Sequence, residues 1–242
     1  MVLVGTVAFE GYREWTESLG PDREWFIQLV QAKTYQVIQS FTAEHDGIAL
    51  PLRYDIQLVF LPSNVNPEAF INGVKEALKP YSPTPVRVVL LCGEIPSVLS
   101  KVRKYLELGD YYEECAPREI AVAHADLNYF TQMTSRDGPY SAYVEVMKLV
   151  NTYVESLAEV AVVQYLGGDN LVAITEPSNL DIVIRELIKP NHIKVGVGIS
   201  HVPRRAFSAA ASALTKIREG GRKMKYLVLR EGVRIDRGVN CL

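Results

Sequence analysis

The sequence predicts an α+β protein of two tandem βαββαβ units, each with an antiparallel sheet covered by helices on one face. Three observations lead to this fold class: a length of 242 residues, an alternation of strand-like and helix-like hydrophobic segments, and a repeat of their order in the second half. A chain of this length forms one large domain or two of about 120 residues each. Its hydrophobic content of 48% is enough for a buried core in each unit.

In the first half, seven segments follow in the order β, α, β, β, α, β, α. Leu3–Phe9 is apolar and of strand length, whereas Pro21–Glu44 has the helical period and begins with a proline next to acidic residues. Two apolar segments flank Tyr54-Asp55 and predict a hairpin. The predicted strands are Leu3–Phe9, Ala49–Arg53, Gln57–Leu61 and Val86–Cys92, and the predicted helices are Pro21–Glu44, Asn66–Leu78 and Pro96–Leu108.

The second half repeats this series. A strand and a long helix precede a hairpin around Gly167-Gly168-Asp169-Asn170, and a helix, a strand, a helix and a last strand follow. The predicted strands are Ile120–Ala125, Val160–Tyr165, Leu171–Thr175, Ile193–Ile199 and Tyr226–Val233, and the predicted helices are Tyr140–Ala158, Asn179–Ile188 and Pro203–Glu219.

Equivalent residues in the two halves are separated by a nearly constant offset. Three pairs carry the comparison: Glu10 with Asp126 at an offset of 116, Asp55 with Asp169 at 114, and Pro96 with Pro203 at 107. Offsets that drift by fewer than about ten residues are typical of loop-length changes within a repeat. We therefore predict two domains, 1–116 and 117–242, each with the split βαβ, ferredoxin-like plan.

Composition and charge exclude several classes of protein. The 26 Lys and Arg residues nearly balance the 28 Asp and Glu residues, which argues against a protein that holds nucleic acid by its phosphates. The N-terminus has no basic region or cleavage-like site, and no apolar run approaches the length of a membrane span. We expect a cytoplasmic protein that binds neither nucleic acid nor membrane.

The cysteines suggest neither a metal site nor a disulfide. Cys92, Cys115 and Cys241 have no CxxC spacing, and no histidine lies near them in a finger-like pattern. Neither a structural zinc site nor a disulfide framework is therefore expected.

Two carboxylates are expected to meet at one end of the second sheet. Asp126 ends a strand that the topology makes central, and Asp169 lies at the tip of the neighbouring hairpin. Two carboxylates repel each other unless a divalent cation lies between them, and oxygen ligands without His or Cys favour Mg²⁺. Because Mg²⁺ fills its other positions with water and phosphate oxygens, the pair predicts a nucleoside triphosphate ligand.

The glycines of the same hairpin fit this interpretation. Gly167 and Gly168 allow positive φ and a close approach of backbone to a ligand. A turn without any ligand is the alternative, since Gly and Asp are common in turns. The presence of Asp126 at the matching strand end favours the metal site.

Several motifs resemble known families. The second half contains VAHADLN ending at Asn128, YLGGDN ending at Asn170 and KVGVGIS ending at Ser200, and it resembles the palm-type nucleotidyl cyclases and polymerases. The first half contains GYREWT from Gly11, then PDRE, a long helix and RYD ending at Asp55. With these motifs, the whole chain resembles the archaeal GTP cyclohydrolase III family, also called GTP cyclohydrolase IIa, whose members are tandem duplications of palm-like units.

The resemblance implies a Mg²⁺-dependent opening of the imidazole ring of GTP. The implied product is a formylaminopyrimidine ribosyl monophosphate, with the two outer phosphates released as inorganic phosphate, on the archaeal route to riboflavin and deazaflavin cofactors. Monovalent cations such as K⁺ are expected activators, and a homo-oligomer is expected. A metal held by Asp126 and Asp169 would neutralise the triphosphate and activate a bound water.

The chain departs from the family pattern at three places. Glu10 replaces an aspartate at the end of the first strand, Tyr129 replaces an acidic residue after Asn128, and an aspartate of the last helix is replaced by alanine near Ala211. These changes concern substrate positioning more than the pair of aspartates.

Further residues have both a functional and an ordinary interpretation. Glu10 and Asp55 form a second metal or base site or are ordinary strand-end and turn carboxylates, and Asn128 and Asn170 contact guanine or metal-bound water or serve the turns. The basic residues Lys216, Arg218 and Arg222 reach the triphosphate or form a solvated helix end. His124 is interpreted as a core histidine rather than a ligand.

Two other functions use the same features. A palm-type cyclase or oligonucleotide synthase would employ the same Asp126 and Asp169 pair, and a guanine-nucleotide sensor would bind the ligand without turnover. The duplication and the residues from Gly11 to Trp15 favour the cyclohydrolase.

Overall fold

The computed structural model describes residues 2–221, 223–231 and 233–235. These residues form two compact units, one mainly from residues 2–93 and 97–118, the other mainly from the described residues of 119–201 and 205–235. Within the described ranges, no helix has both the length and the apolar composition needed to cross a membrane.

The first unit is a five-stranded sheet with four helices. Its elements are β1 (Leu3–Phe9), α1 (Tyr12–Ser18), α2 (Glu24–Glu44), β2 (Ile48–Arg53), β3 (Ile56–Leu61), α3 (Pro67–Leu78), β4 (Val86–Leu91), α4 (Ile95–Leu106) and β5 (Tyr111–Tyr112). The strand order is β2-β3-β1-β4-β5. All neighbours are antiparallel except β4 and β5, which are parallel.

The second unit repeats this topology and extends the sheet by one strand. Its elements are β6 (Ile120–Leu127), α5 (Phe130–Asp137), α6 (Pro139–Leu157), β7 (Ala161–Gly167), β8 (Asn170–Thr175), α7 (Leu180–Leu187), β9 (Ile193–Ser200), α8 (Pro203–Glu219), β10 (Tyr226–Arg230) and β11 (Val233–Ile235). The strand order is β11-β10-β9-β6-β8-β7, with β6 between antiparallel β8 and β9. The tandem α+β, palm-like plan is thus present in both units.

The predicted elements recur with small differences in their ends. The helix predicted from Pro21 begins at Glu24, and the region of the single strand predicted at Tyr226–Val233 contains two strands, β10 and β11. Helices α1 and α5 were not predicted. Neither helix has a buried residue, so neither carries the apolar period from which a helix is recognised.

The core of the second unit lies between the sheet and helices α6 and α7. Side chains from alternate positions of β6 and β9 pack with Val146, Val150 and Leu157 of α6 and Val183 of α7. Helix α3 and the longer α2 play the same part in the first unit, where Ile38 and Phe70 join the core. Helices on one face of each sheet are therefore present as expected.

Helix α8 lies on the opposite face of the second sheet, a position that the predicted one-sided arrangement did not include. A Cβ at Gly198 would lie 1.9 Å from the carbonyl oxygen of Ala206, and one at Gly196 would lie 2.3 Å from that of Ala210. The glycines of β9 therefore allow backbone-to-backbone packing of α8 on the strand.

Cys92 and Cys115 form a disulfide, so the expectation of no disulfide was wrong. Their Cα atoms are 5.7 Å apart although 23 residues separate them in sequence. The cause is tertiary. Strand β5 pairs with β4, and the amide of Glu113 donates to the carbonyl of Leu90, which brings the following segment beside the end of β4.

Candidate active site

Asp126 and Asp169 lie side by side at one end of the second sheet. Asp126 is the second-last residue of β6, and its register partner on β8 is Asn170. Asp169 lies in the two-residue turn between β7 and β8, immediately before Asn170, which is the first residue of β8. The topology thus brings these two predicted metal ligands together.

The electrostatics of the pair favour a cation. Burial raises the pKa of Asp169, and the neighbouring carboxylate of Asp126 raises it further, while the guanidinium of Arg218 opposes both effects. The side chain of Asp126 is only 2% exposed. Two partly desolvated carboxylates in contact are costly to ionise together, and positive charge between them removes that cost.

Arg218 supplies part of this charge in the described chain. Its guanidinium, from the last turn of α8, donates a hydrogen bond to Oδ1 of Asp126. The Arg218 side chain is 46% exposed, so it reaches from solvent to a buried carboxylate. Of the three basic residues predicted near the triphosphate, Lys216 is exposed on α8 and Arg222 lies outside the described residues.

Lys194 is a further cation at this site that the sequence analysis did not single out. It is the register partner of Asp126 on β9 and is 4% exposed. Lysine is rarely buried without a partner. The signal available in the sequence was a lysine within the otherwise uncharged strand Ile193–Ser200.

Asn170 joins the hairpin to the strand that carries Asp126. Its amide Nδ2 donates to Oδ1 of Asp169 at 2.9 Å and approaches the carbonyl of Gly167 at 3.4 Å. The amide Oδ1 lies 3.0 Å from Nε2 of His124. Burial lowers the pKa of His124, which favours a neutral imidazole.

The two hairpin glycines are required by backbone conformation. Gly167 and Gly168 have φ values of 105° and 61°, in the region that side chains with a Cβ avoid. Open space surrounds the Cβ position of Gly167, so crowding is not the reason for glycine there. The turn is further held by Tyr165, whose hydroxyl donates to the carbonyl of Gly168 at 3.2 Å.

Leu127, the residue after Asp126, lines two clefts. One of about 300 Å³ is lined by residues 127 and 129–132 together with Asp169. A larger one of about 410 Å³ is lined by Asn128 and by polar residues of α5 and α6, among them Arg136, Glu145 and Lys148. Asn128 itself follows β6, and its backbone N–H donates to the backbone carbonyl of His192.

The first unit has no equivalent pair. Phe9 and Leu127 are the last residues of β1 and β6, and each pairs with the first residue of the next antiparallel strand, Val86 or Ile193. Ala8 therefore occupies the position of Asp126. The predicted correspondence of Glu10 with Asp126 was wrong by two residues, and Glu10 matches Asn128 instead.

The two carboxylates of the first unit that were predicted as site residues, Glu10 and Asp55, are each paired with an arginine. Glu10 forms an ion pair with Arg87, and Asp55 accepts hydrogen bonds from Arg53. Asp55 does occupy the hairpin position of Asp169, as the offset of 114 predicts. The structure thus places Glu10 and Asp55 at the matching end of their own sheet, each beside a cation.

The donor set of the pair matches magnesium better than zinc. Among the described residues, no group of three or more His, Cys, Asp and Glu side chains is placed to hold a metal. A pair of carboxylates is the usual protein contribution to a Mg²⁺ site, in which water and phosphate oxygens complete the coordination. Asp126 and Asp169 therefore fit this ion.

Fold and site together define a class: a tandem palm-like protein with an acidic pair at the end of one central strand. Residues 3–231 match the family model of GTP cyclohydrolase III. The GTP cyclohydrolase III of Aeropyrum pernix is 38% identical over 226 residues, which cover 90% of this chain and 92% of that protein. That of Saccharolobus islandicus is 31% identical, with 89% and 94% covered. The chain belongs to the GTP cyclohydrolase III family.

Solved structures resemble single units of the chain only loosely. The active GGEEF domain of a diguanylate cyclase from Vibrio cholerae gives a TM-score of 0.38 at 11% identity and covers 47% of this chain and 83% of its own. A diguanylate cyclase/phosphodiesterase from Caldicellulosiruptor saccharolyticus gives 0.40 at 13% identity, with 46% and 76% covered.

Proposed function

We propose that the protein is a GTP cyclohydrolase that opens the imidazole ring of GTP in a Mg²⁺-dependent reaction. Membership of the GTP cyclohydrolase III family supports GTP as the substrate. The observation that carries the metal dependence is the contact between Asp126 and the partly buried Asp169. The proposed product is the formylaminopyrimidine ribosyl monophosphate, with the two outer phosphates released as inorganic phosphate.

Asp126 and Asp169 would hold the cation. When bound, Mg²⁺ neutralises phosphate charge and lowers the pKa of a coordinated water. Asn170 donates a hydrogen bond to Oδ1 of Asp169 and so restrains the orientation of that carboxylate. Arg218 pairs with Asp126 and Lys194 is its register partner on β9, so both cations would be near a triphosphate held at this site.

The neighbouring clefts offer space for the nucleoside. The larger one, of about 410 Å³, is of the size that holds a small ligand, and it opens beside Asn128 at the end of β6. Asn128 and the carboxylate of Glu145 provide an amide and an acceptor, the groups needed to recognise the edge of a purine.

An assay with GTP and Mg²⁺ tests the proposal. A change from a purine to a pyrimidine absorbance spectrum with release of inorganic phosphate is expected. Pyrophosphate release with an unchanged purine spectrum would indicate a cyclase instead, and tight binding without turnover would indicate a sensor.

Asp169→Asn and Asp126→Asn are expected to lower the rate by roughly 100-fold or more, because a cation held by one carboxylate is bound poorly. Glu155→Gln is the matched control, since it removes an exposed carboxylate of α6. Ring opening at the normal rate in Asp169→Asn would contradict the proposed metal site. Activation by K⁺ and a homo-oligomeric state stay predictions from the resemblance.

A further inference from the structure

His124 is connected to the carboxylate pair by an uninterrupted chain of hydrogen bonds. It lies two residues before Asp126 on β6, so both side chains stand on the same face of the sheet. Its Nε2 is 3.0 Å from Oδ1 of Asn170, and Nδ2 of Asn170 is 2.9 Å from Oδ1 of Asp169. Asn170 on β8 is the diagonal neighbour of His124, and a histidine side chain is long enough to reach a neighbour at that position.

The chemistry of an amide gives this chain a direction. The amide oxygen of Asn170 only accepts hydrogen bonds and its nitrogen only donates. An N–H of His124 at the oxygen therefore places the NH₂ group on the side of Asp169. A rotation of the amide by half a turn would bring its oxygen against the Asp169 carboxylate, where two acceptors repel.

The orientation of the Asp169 carboxylate depends on Asn170 because the turn that carries Asp169 restrains this side chain only weakly. It follows two glycines with positive φ in a two-residue turn, and its carboxylate is only partly buried. The hydrogen bond from Asn170 fixes one of its oxygens. The position of the other, relative to Asp126, decides whether both carboxylates can bind one cation at distances near 2 Å.

We propose that His124 is a positioning residue: it fixes the amide of Asn170, which holds the Asp169 carboxylate toward Asp126. This inference rests on the proposed metal-dependent function. It differs from the interpretation of His124 as a core histidine because it assigns the imidazole N–H a specific acceptor. Groups that orient metal ligands commonly change metal affinity by 10-fold to 100-fold when removed.

The test measures metal binding directly. Mn²⁺ replaces Mg²⁺ in a titration of the whole protein, followed by electron paramagnetic resonance, with a non-hydrolysable GTP analogue present. His124→Leu removes the donor and is expected to weaken Mn²⁺ binding by roughly 10-fold or more. His124→Gln retains an N–H at a similar distance from the backbone and is expected to bind within about 3-fold of the wild type.

A double-mutant cycle with Asn170→Ala separates positioning from a loss of packing. If His124 acts through Asn170, the double variant binds Mn²⁺ about as weakly as Asn170→Ala alone. Fully additive losses, or equal binding by His124→Leu and the wild type, would overturn the inference while leaving the proposed function intact. Thermal melting of each variant checks that it folds. A wild type that binds no Mn²⁺ would overturn the proposed function and the inference together.

Discussion

Arg218 of α8 donates a hydrogen bond to the buried carboxylate of Asp126, which lies 92 residues away in the sequence. The contact links the helix on one face of the second sheet to the end of its central strand. It places a cation beside two carboxylates that would otherwise repel each other. An arginine here acts as a built-in counter-ion, and a bound divalent cation would take over part of that task.

Replacing Arg218 by methionine is therefore expected to destabilise the metal-free protein. The buried carboxylate of Asp126 loses a charged partner, and because the arginine is half exposed the cost is expected to be only about 1–2 kcal/mol. Mg²⁺ should restore more stability to this variant than to the wild type, as measured by thermal melting in chelator and in excess Mg²⁺.

Arg103→Met is the control for this experiment, since Arg103 is 91% exposed and pairs with Glu107 on the surface of α4. A surface pair of this kind contributes little. Equal melting temperatures of Arg218→Met and the wild type in chelator would show that the arginine does not support the carboxylate pair.

The close packing of α8 on β9 makes Gly198 sensitive to substitution. A Cβ there would lie 1.9 Å from the carbonyl oxygen of Ala206. The Cβ is fixed by the backbone of β9 and the oxygen by the backbone of α8, so a change of side-chain rotamer cannot relieve the clash. Gly198→Ala is expected to lower the free energy of unfolding by about 3 kcal/mol or more, measured by urea denaturation.

Gly220→Ala provides the comparison, since its nearest contact would be the carbonyl oxygen of Lys216 at 3.3 Å. We expect a change within about 1 kcal/mol in either direction for this variant. If Gly198→Ala were equally mild, α8 would not pack on β9 as closely as described.

The disulfide between Cys92 and Cys115 is expected to stabilise the first unit. It closes a loop across a sequence separation of 23 residues, for which chain entropy gives a stabilisation of about 3 kcal/mol. Reduction, or the paired substitution of both residues by serine, should lower the melting temperature of this unit by roughly 10–15 °C.

Thiol titration in denaturant checks the bond itself. Of three cysteines in the chain, one should react before reduction and all three afterwards. Three reactive thiols in freshly purified, unreduced protein would show that the bond does not form.

We expect the protein to lose stability at alkaline pH because Tyr153 is buried in its protonated form. Burial, with a smaller effect of the negative charge of Glu186, raises the pKa of Tyr153 to about 12. Its hydroxyl donates to the carbonyl of Leu187 at 3.0 Å. An unfolded tyrosine ionises near pH 10, so between about pH 10 and 12 the unfolded state releases a proton that the folded state keeps.

The stabilisation that comes from the raised pKa of Tyr153 is therefore complete below about pH 10. It is lost progressively up to about pH 12, by about 2–3 kcal/mol in all. Tyr153→Phe should be less stable than the wild type at neutral pH by about 1 kcal/mol, and the difference should shrink or reverse as the pH rises. Denaturation curves at pH 8, 10 and 11.5 measure this. A difference that does not change with pH would contradict the buried, protonated phenol.

Much of the fold could be predicted because its elements carry local signals. Leu3–Phe9 is an apolar segment that is buried along its whole length, and the helical period before Glu44 reflects the one face of α2 that is buried. Helices α1 and α5 bury no residue and gave no such signal. Each helix is preceded by an N-cap residue with positive φ, Gly11 before α1 and Tyr129 before α5, and a tyrosine does not indicate such a conformation.

The site was predictable to the extent that it follows from topology. Asp126 at the end of a central strand and Asp169 in the adjacent turn are brought together by the repeat order alone. The error in the repeat concerned Glu10, because matching carboxylate to carboxylate ignored the strand register that assigns Ala8 to that position.

The sequence by itself determined the two repeated units, the order of those strands and helices that carry an apolar pattern, and the pair of aspartates, since periodicity and spacing are local properties of the chain. Only the tertiary structure decided which distant residues accompany the pair. Arg218 reaches Asp126 because α8 packs closely on the sheet, Lys194 is the register partner of Asp126 through the pairing of β6 and β9, and Cys92 meets Cys115 through the pairing of β4 and β5. Such contacts depend on how elements pack across the whole unit, and no short segment of sequence encodes them.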